Sequence, residues 1–300
     1  MTDILIVKLN ATGDVVRTTA LLRRLEGRIT WITARGNLPL LEGVHDGMRC
    51  LAWEDRDEAA DTTYELAINL EDDVEIAEFV RRLRPAREFG ARLAADGSLG
   101  YSDDARAWFD MSLISRHGRQ RADELKLQNR RSYQDLVFRG LGYEFQGEAY
   151  ILPPPARTDL AGDVALAPVA GPVWPMKNWA RYDELSRHLE ASGLRVNVLP
   201  RRATFAEHLG DIANHRCLVS GDSLPMHLAL GLKVPCVTVF NCTSPWEIHD
   251  YGLLTKVISP RLGEFFYKRG MDVRATTAVP VDDVLAAVMS RLAMPTAARN

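Results

Sequence analysis

Residues 1–17 read MTDILIVKLNATGDVVR, and this opening decides the fold class. The apolar run Ile4–Val7 ends in Lys8, and a short polar turn carries Gly13 and Asp14 into a helix. Such a run before a Gly-containing turn reads as a buried strand feeding a helix, the first βα unit of an α/β domain. Open parallel sheets bind ligands outside the carboxyl ends of their strands. Asp14 stands at that place and is the first candidate for chemistry. The alternative is that Asp14 caps the helix through its side-chain oxygen.

Working outward, strand and helix patterns alternate. Arg28–Thr33 (RITWIT) reads as a second strand, with Ala34–Asn37 as its exit loop, and Tyr64–Leu70 (YELAINL) as a later one. Glu71 to Leu83 has helical spacing, and Ala122 to Leu141 reads as a helix ended by Gly140 or Gly142. The triple proline Pro153-Pro154-Pro155 suits neither a helix interior nor a central strand and marks a linker. Beyond it the alternation restarts. Strands are expected at 164–168, 194–199, 216–220 and 234–240. Helices are expected at 179–192, stopped by Gly193, from Pro225, and at 281–294. The pattern predicts a mostly parallel sheet covered by helices in each of two similar-sized lobes, 1–155 and 163–280. The segment 281–300 is expected as a terminal helix that returns across the interface to the first lobe.

Three hundred residues suffice for two such domains. With 37 Lys plus Arg against 40 Asp plus Glu, the formal charge of −3 gives no argument for a nucleic-acid partner. The cysteines Cys50, Cys217, Cys236 and Cys242 form no CxxC pair and read as thiols of a reducing compartment. No apolar run approaches the ~20 residues that span a bilayer, and Asp3 and Lys8 interrupt a signal-peptide pattern. A cytoplasmic protein is expected, at the inner face of the membrane if its acceptor is membrane-borne.

Three strand-end loops in the second half carry polar residues. Pro168–Trp179 (PVAGPVWPMKNW) brings Lys177 to a turn where backbone N–H groups and an ammonium suit phosphate, although surface lysines near turns are common. Ser220–His227 (SGDSLPMH) runs from a strand through a Gly-Asp turn into a helix, where Ser223 and the helix amino end suit an anion. Asp222 would repel phosphate, which leaves it capping, loop organisation or sugar-hydroxyl binding. Phe240–Gly252 (FNCTSPWEIHDYG) supplies Thr243 and Ser244. Arginines in Arg116–Arg121 suit an anionic acceptor or simply a solvated helix face. HExxH, GxGxxG, Walker A and GxSxG patterns are absent from the sequence.

Taken in order, IVKLNATGDVVRTTALLRRL, PVWPMKNW and VSGDSLPMHLALGLKVPCVTVFNCTSPWE resemble glycosyltransferase family 9, the heptosyltransferase-like enzymes. The resemblance implies a GT-B fold, two Rossmann-like lobes with an interdomain cleft. It also implies metal-independent inverting transfer of heptose or a related sugar from an ADP-linked donor to a saccharide or small-molecule hydroxyl. No cofactor is implied, the ADP-sugar being a substrate. By the same resemblance Asp14 is the general base and Lys177 a donor-phosphate ligand. Gly221, Asp222, Ser223 and His227 form the donor-binding junction, with Thr243 and Ser244 in the later donor loop. Asn10 and Thr12 occupy a turn that often carries serine, and Arg17 stands where many relatives have histidine. These three, with Arg116 and Arg121, are the expected acceptor-side residues. A nucleotide-sugar epimerase or hydrolase, or a non-catalytic nucleotide-sugar sensor, would use the same donor residues.

Overall fold

The computed structural model describes residues 2–294. The chain forms two compact units that divide between Pro153 and Pro154, inside the triple proline. The expected terminal segment 281–300 is described only as far as 294, and Met1 also lies outside the described residues.

The first unit holds β1 (Asp3–Val7), β2 (Arg28–Thr33), β3 (Arg49–Ala52), β4 (Leu66–Asn69), β5 (Arg87–Leu93) and β6 (Leu99–Tyr101). Their order in the sheet is β3-β2-β1-β4-β5-β6, parallel except for β6, which runs antiparallel to β5. β1 is central, and Ile4–Val7 are all buried, as expected for a strand covered on both faces. Leu5, Val7, Ile32, Ala67, Phe79 and Val80 share one core. The reversal of order between β1 and β4 puts their carboxyl ends side by side, where an open sheet makes a ligand crevice.

Two sequence expectations are corrected here. The helix expected from Glu71 begins at Val74, because the Asp73 carboxylate accepts the Ile76 N–H at 3.2 Å and caps it. Glu71 therefore stays outside the helix, just past β4. The helix expected at 122–141 is two helices, Arg119–Gln128 and Tyr133–Leu141. Between them Asn129 Oδ1 accepts the Arg131 N–H at 3.0 Å, and Ser132 caps the second helix by accepting the Asp135 N–H at 3.2 Å. Local side-chain bonding of this kind competes with continuous helix. Gly142, at φ 92°, provides the left-handed end of the second helix.

The second unit holds β7 (Gly162–Ala167), β8 (Val196–Val198), β9 (His215–Gly221), β10 (Cys236–Phe240) and β11 (Leu254–Ile258). They form an all-parallel sheet in the order β11-β10-β9-β7-β8. The helix Val281–Ala293 packs on this unit's own sheet. Val281, Val284 and Val288 are buried with Val164, Leu185, Val219 and Val237 in a single core. Its valines at i, i+3 and i+7 make one apolar stripe, and that stripe is already covered.

Candidate active site

In the first unit the helix Thr12–Thr18 follows β1, and the residue at its cap position is Ala11, in a left-handed conformation with φ 56°. Asp14 lies in the first turn beyond that cap, so capping does not account for its carboxylate. The side chain is 30% exposed, with Arg17 Nε at 3.1 Å from one oxygen and Lys8 Nζ at 3.9 Å from the other. Arg17 is buried, its guanidinium stacked 3.9 Å from the Tyr133 ring centroid and 5.4 Å from that of Trp108. Thr18 Oγ1 meets the Tyr133 hydroxyl at 2.8 Å, fixing that ring. Burial opposes the charge on Lys8, but the Asp14 and Glu71 carboxylates outweigh it and hold its pKa above 10.5. Burial likewise raises the Tyr133 phenol, against the pull of Arg17 and Lys8.

Sequence reasoning missed Glu71. It is buried, and one oxygen accepts from Lys8 Nζ at 2.7 Å, Leu9 N at 2.8 Å and Asn10 N at 3.0 Å. The available signal was the acidic side chain directly after the apolar run of β4, which helical spacing had absorbed. Among the expected acceptor residues, Asn10 lies on this turn and gives its amide to Glu71 at 3.3 Å, while Thr12 opens the helix. Arg116 pairs with Asp110 at 3.2 Å, and Arg121 with Glu124 at 2.9 Å on an exposed helix face. Lys126, unforeseen from sequence, stands 5.8 Å from the Trp108 ring that Arg17 also faces.

In the second unit three loops at the carboxyl end of the sheet come together. Lys177 ends the short turn Pro175–Lys177, and its Nζ lies 3.1 Å from Asp222 Oδ2. Gly221 makes this approach feasible, because a Cβ there would lie 2.5 Å from the Lys177 carbonyl oxygen. Asn241 ties in the third loop by donating its amide to the Met176 carbonyl at 3.0 Å. Burial works against the Asp222 charge, yet Lys177, His227 and Thr243 hold its pKa below 3.8. Asp222 thus organises the loops as the counter-ion of Lys177. Ser223 occupies the cap position of helix Leu224–Gly231, and its hydroxyl turns back to the Gly221 carbonyl at 3.3 Å. Thr243 and Ser244 are buried, and the Ser244 hydroxyl finds no partner among the described residues. Beside this cluster lies a cavity of about 330 Å³ lined by Pro168, Val169, Leu199, His208, Ser223 and Pro225. Burial holds the His208 pKa below 6.5. Among the described residues no group of three or more His, Cys, Asp or Glu is placed to hold a metal ion. Among them, too, no helix is long and apolar enough to cross a membrane.

Two Rossmann-like sheets, each with polar loops at its carboxyl end, define a GT-B protein. A glycosyltransferase family 9 protein from Veillonella parvula matches at TM-score 0.67 and 15% identity, with 97% of each chain covered. E. coli heptosyltransferase WaaC, solved with ADP-2-deoxy-2-fluoro heptose, matches at TM-score 0.57 and 19% identity, covering 97% of this chain and 100% of that one. The E. coli ADP-heptose lps heptosyltransferase II matches at TM-score 0.57 and 15% identity, with 97% and 98% covered. No curated protein matches the sequence. The family model for glycosyltransferase family 9 (heptosyltransferase) matches residues 173–265, wholly within the second unit. The second unit thus carries the family's sequence pattern over residues 173–265, and the likeness to these solved structures shows a GT-B fold over nearly the whole chain.

Proposed function

We propose that the protein is an inverting glycosyltransferase that moves heptose or a related sugar from an ADP-linked donor to a saccharide or small-molecule hydroxyl. The observation that carries this reading is the Asp14 carboxylate, partly exposed beyond the first strand and faced by Lys8 and Arg17. In this reading Asp14 accepts the proton of the acceptor hydroxyl as that oxygen attacks the anomeric carbon. The bond from the anomeric carbon to the diphosphate oxygen breaks on the opposite face, and its electron pair leaves with ADP. The configuration inverts, and no covalent enzyme intermediate forms.

The second unit then serves the donor. Lys177 and the helix amino end at Ser223 supply positive potential for the departing diphosphate. A phosphate that displaced Asp222 would take over the Lys177 ammonium, leaving Asp222 free to accept from a sugar hydroxyl. The cavity beside Ser223 has the size and apolar lining that suit a nucleoside. ADP and ADP-2-deoxy-2-fluoro heptose in structures of E. coli heptosyltransferase WaaC support adenine as the donor base. With protein donors in these roles, the diphosphate needs no divalent ion.

ADP-sugars incubated with a panel of saccharide and small-molecule acceptors should release ADP in an acceptor-dependent manner, and the rate should survive EDTA. Products formed from donor alone would favour an epimerase or hydrolase. Donor binding without conversion across the panel would favour a sensor. A rate abolished by EDTA and restored stoichiometrically by Mg²⁺ would refute metal independence.

A further inference from the structure

Glu71 is a buried carboxylate that the chemistry above leaves without a task. A buried carboxylate is costly unless it is paired and hydrogen-bonded. Here every donor it receives comes from residues 8–10, the segment that leads to Asp14: Lys8 Nζ, the Leu9 and Asn10 N–H groups, and the Asn10 amide. Glu71 is itself held, its N–H donating to Asn69 Oδ1 at 3.1 Å. The turn is pinned from the other side by Asn37, which donates to the Leu9 carbonyl at 2.6 Å. Past Asn10 the chain enters the helix through Ala11, whose carbonyl accepts the Asp14 N–H at 2.6 Å. The path from Glu71 to the Asp14 backbone is therefore short and continuous.

Lys8 sits between two carboxylates at unequal distances, 2.7 Å from Glu71 and 3.9 Å from Asp14. Its shorter partner keeps the ammonium from closing on Asp14. The Asp14 oxygen facing Lys8 therefore meets that ammonium across 3.9 Å and not in direct contact.

We infer that Glu71 is a positioning residue for Asp14, anchoring the 8–10 turn and holding the Lys8 ammonium back from the Asp14 carboxylate. This rests on reading Asp14 as the general base. Glu71→Gln preserves shape and removes the charge, so Lys8 should move toward its remaining carboxylate. A crystal structure of Glu71→Gln should show Lys8 Nζ within about 3 Å of Asp14. ADP release from ADP-heptose, with water or an acceptor found by the panel as nucleophile, should slow by roughly tenfold to a hundredfold. ADP affinity by calorimetry should stay within about twofold, since the donor groups lie in the other unit. Lys8→Met/Glu71→Gln should recover most of the lost rate, because the competing ammonium is gone and Gln still accepts from the turn. In an Asp14→Asn background Glu71→Gln should cost nothing further, a non-additivity that a purely structural role would not produce.

If Glu71→Gln alone does not fold, Lys8→Met/Glu71→Leu carries the test, exchanging the pair for apolar groups of similar volume. It should lose at least about tenfold in rate at unchanged ADP affinity, because the turn amides lose their acceptor. A wild-type rate in Glu71→Gln or in Lys8→Met/Glu71→Leu, beside an inactive Asp14→Asn, would overturn the positioning role and leave the base assignment standing. An Asp14→Asn enzyme that turns over normally would instead remove the base assignment, and this inference with it.

Discussion

Both units set a lysine against a carboxylate at the carboxyl end of a sheet, and the two pairs differ in what stands beside them. In the first unit Lys8 and Glu71 are 8% and 6% exposed and close on each other, while Asp14, 30% exposed, lies 3.9 Å from Lys8 and 3.1 Å from Arg17. In the second, Lys177 and Asp222 close directly at 3.1 Å, with 18% and 13% exposure. The first arrangement is a buried ion pair beside a partly exposed carboxylate that Lys8 and Arg17 both face. The second is an ion pair that an incoming anion can open. A general base needs its carboxylate held in place, whereas a phosphate ligand can wait on an internal counter-ion.

The largest expected effect tests the first arrangement. Asp14→Asn should lower kcat by about 10²–10⁴-fold, the usual contribution of a general base, with ADP affinity nearly unchanged. Stopped-flow or coupled ADP assays at saturating substrates would measure it, and a near-normal rate would erase the contrast between the two sites. Lys177→Ala should act on the other side of the comparison. Loss of a charge-assisted bond to phosphate, about 1.5–3 kcal/mol, predicts roughly 10–150-fold weaker ADP binding by calorimetry. Asp222→Asn would sharpen the point, since tighter ADP binding in that variant would identify Asp222 as the competitor for Lys177.

A smaller effect concerns the acceptor. Lys126→Ala should raise the acceptor KM by about three- to tenfold, because it shares the Trp108 ring with Arg17. Arg121→Ala should shift it by less than about twofold, its charge being spent on an exposed pair with Glu124. Equal effects from both would return the acceptor site to the exposed arginine segment.

The smallest effect is on stability, and the two sites should fail at opposite ends of the pH scale. Lys8 has a folded pKa raised above 10.5, so its contribution is complete below that pH and is lost as pH rises through the folded value. Asp222 has a folded pKa lowered below 3.8, so its contribution is present above that pH and is lost as pH falls through the folded value. Amide exchange at Ile4–Val7 and at Leu218–Gly221 would report the two units separately. Loss of protection in the same order at both extremes would contradict the assignment.

Much of this molecule was written in local sequence. Apolar runs closed by Gly, Pro or Asp signals set the strands at 28–33 and 236–240 and the last helix. The positions of Asp14, Lys177, Gly221 and Ser223 at strand ends followed from the same pattern, because strand polarity and turn chemistry act over a few residues. The partners of those side chains were not legible in that way. Glu71 belongs to Lys8 only because β1 and β4 are neighbours in the sheet, and Asp222 meets Lys177 only because Gly221 lets a distant backbone approach. Helical spacing claimed Glu71 for a helix until the Asp73 cap excluded it. Trp108 and Tyr133 likewise reached Arg17 only by packing. The sequence by itself marked β1, β2, β4, β7, β8, β9 and β10 and the residues at their ends, while β3, β5, β6 and β11 were not legible in it. Which charge sits beside which was decided by strand order and close packing, since ion pairs act through space between residues far apart in the chain.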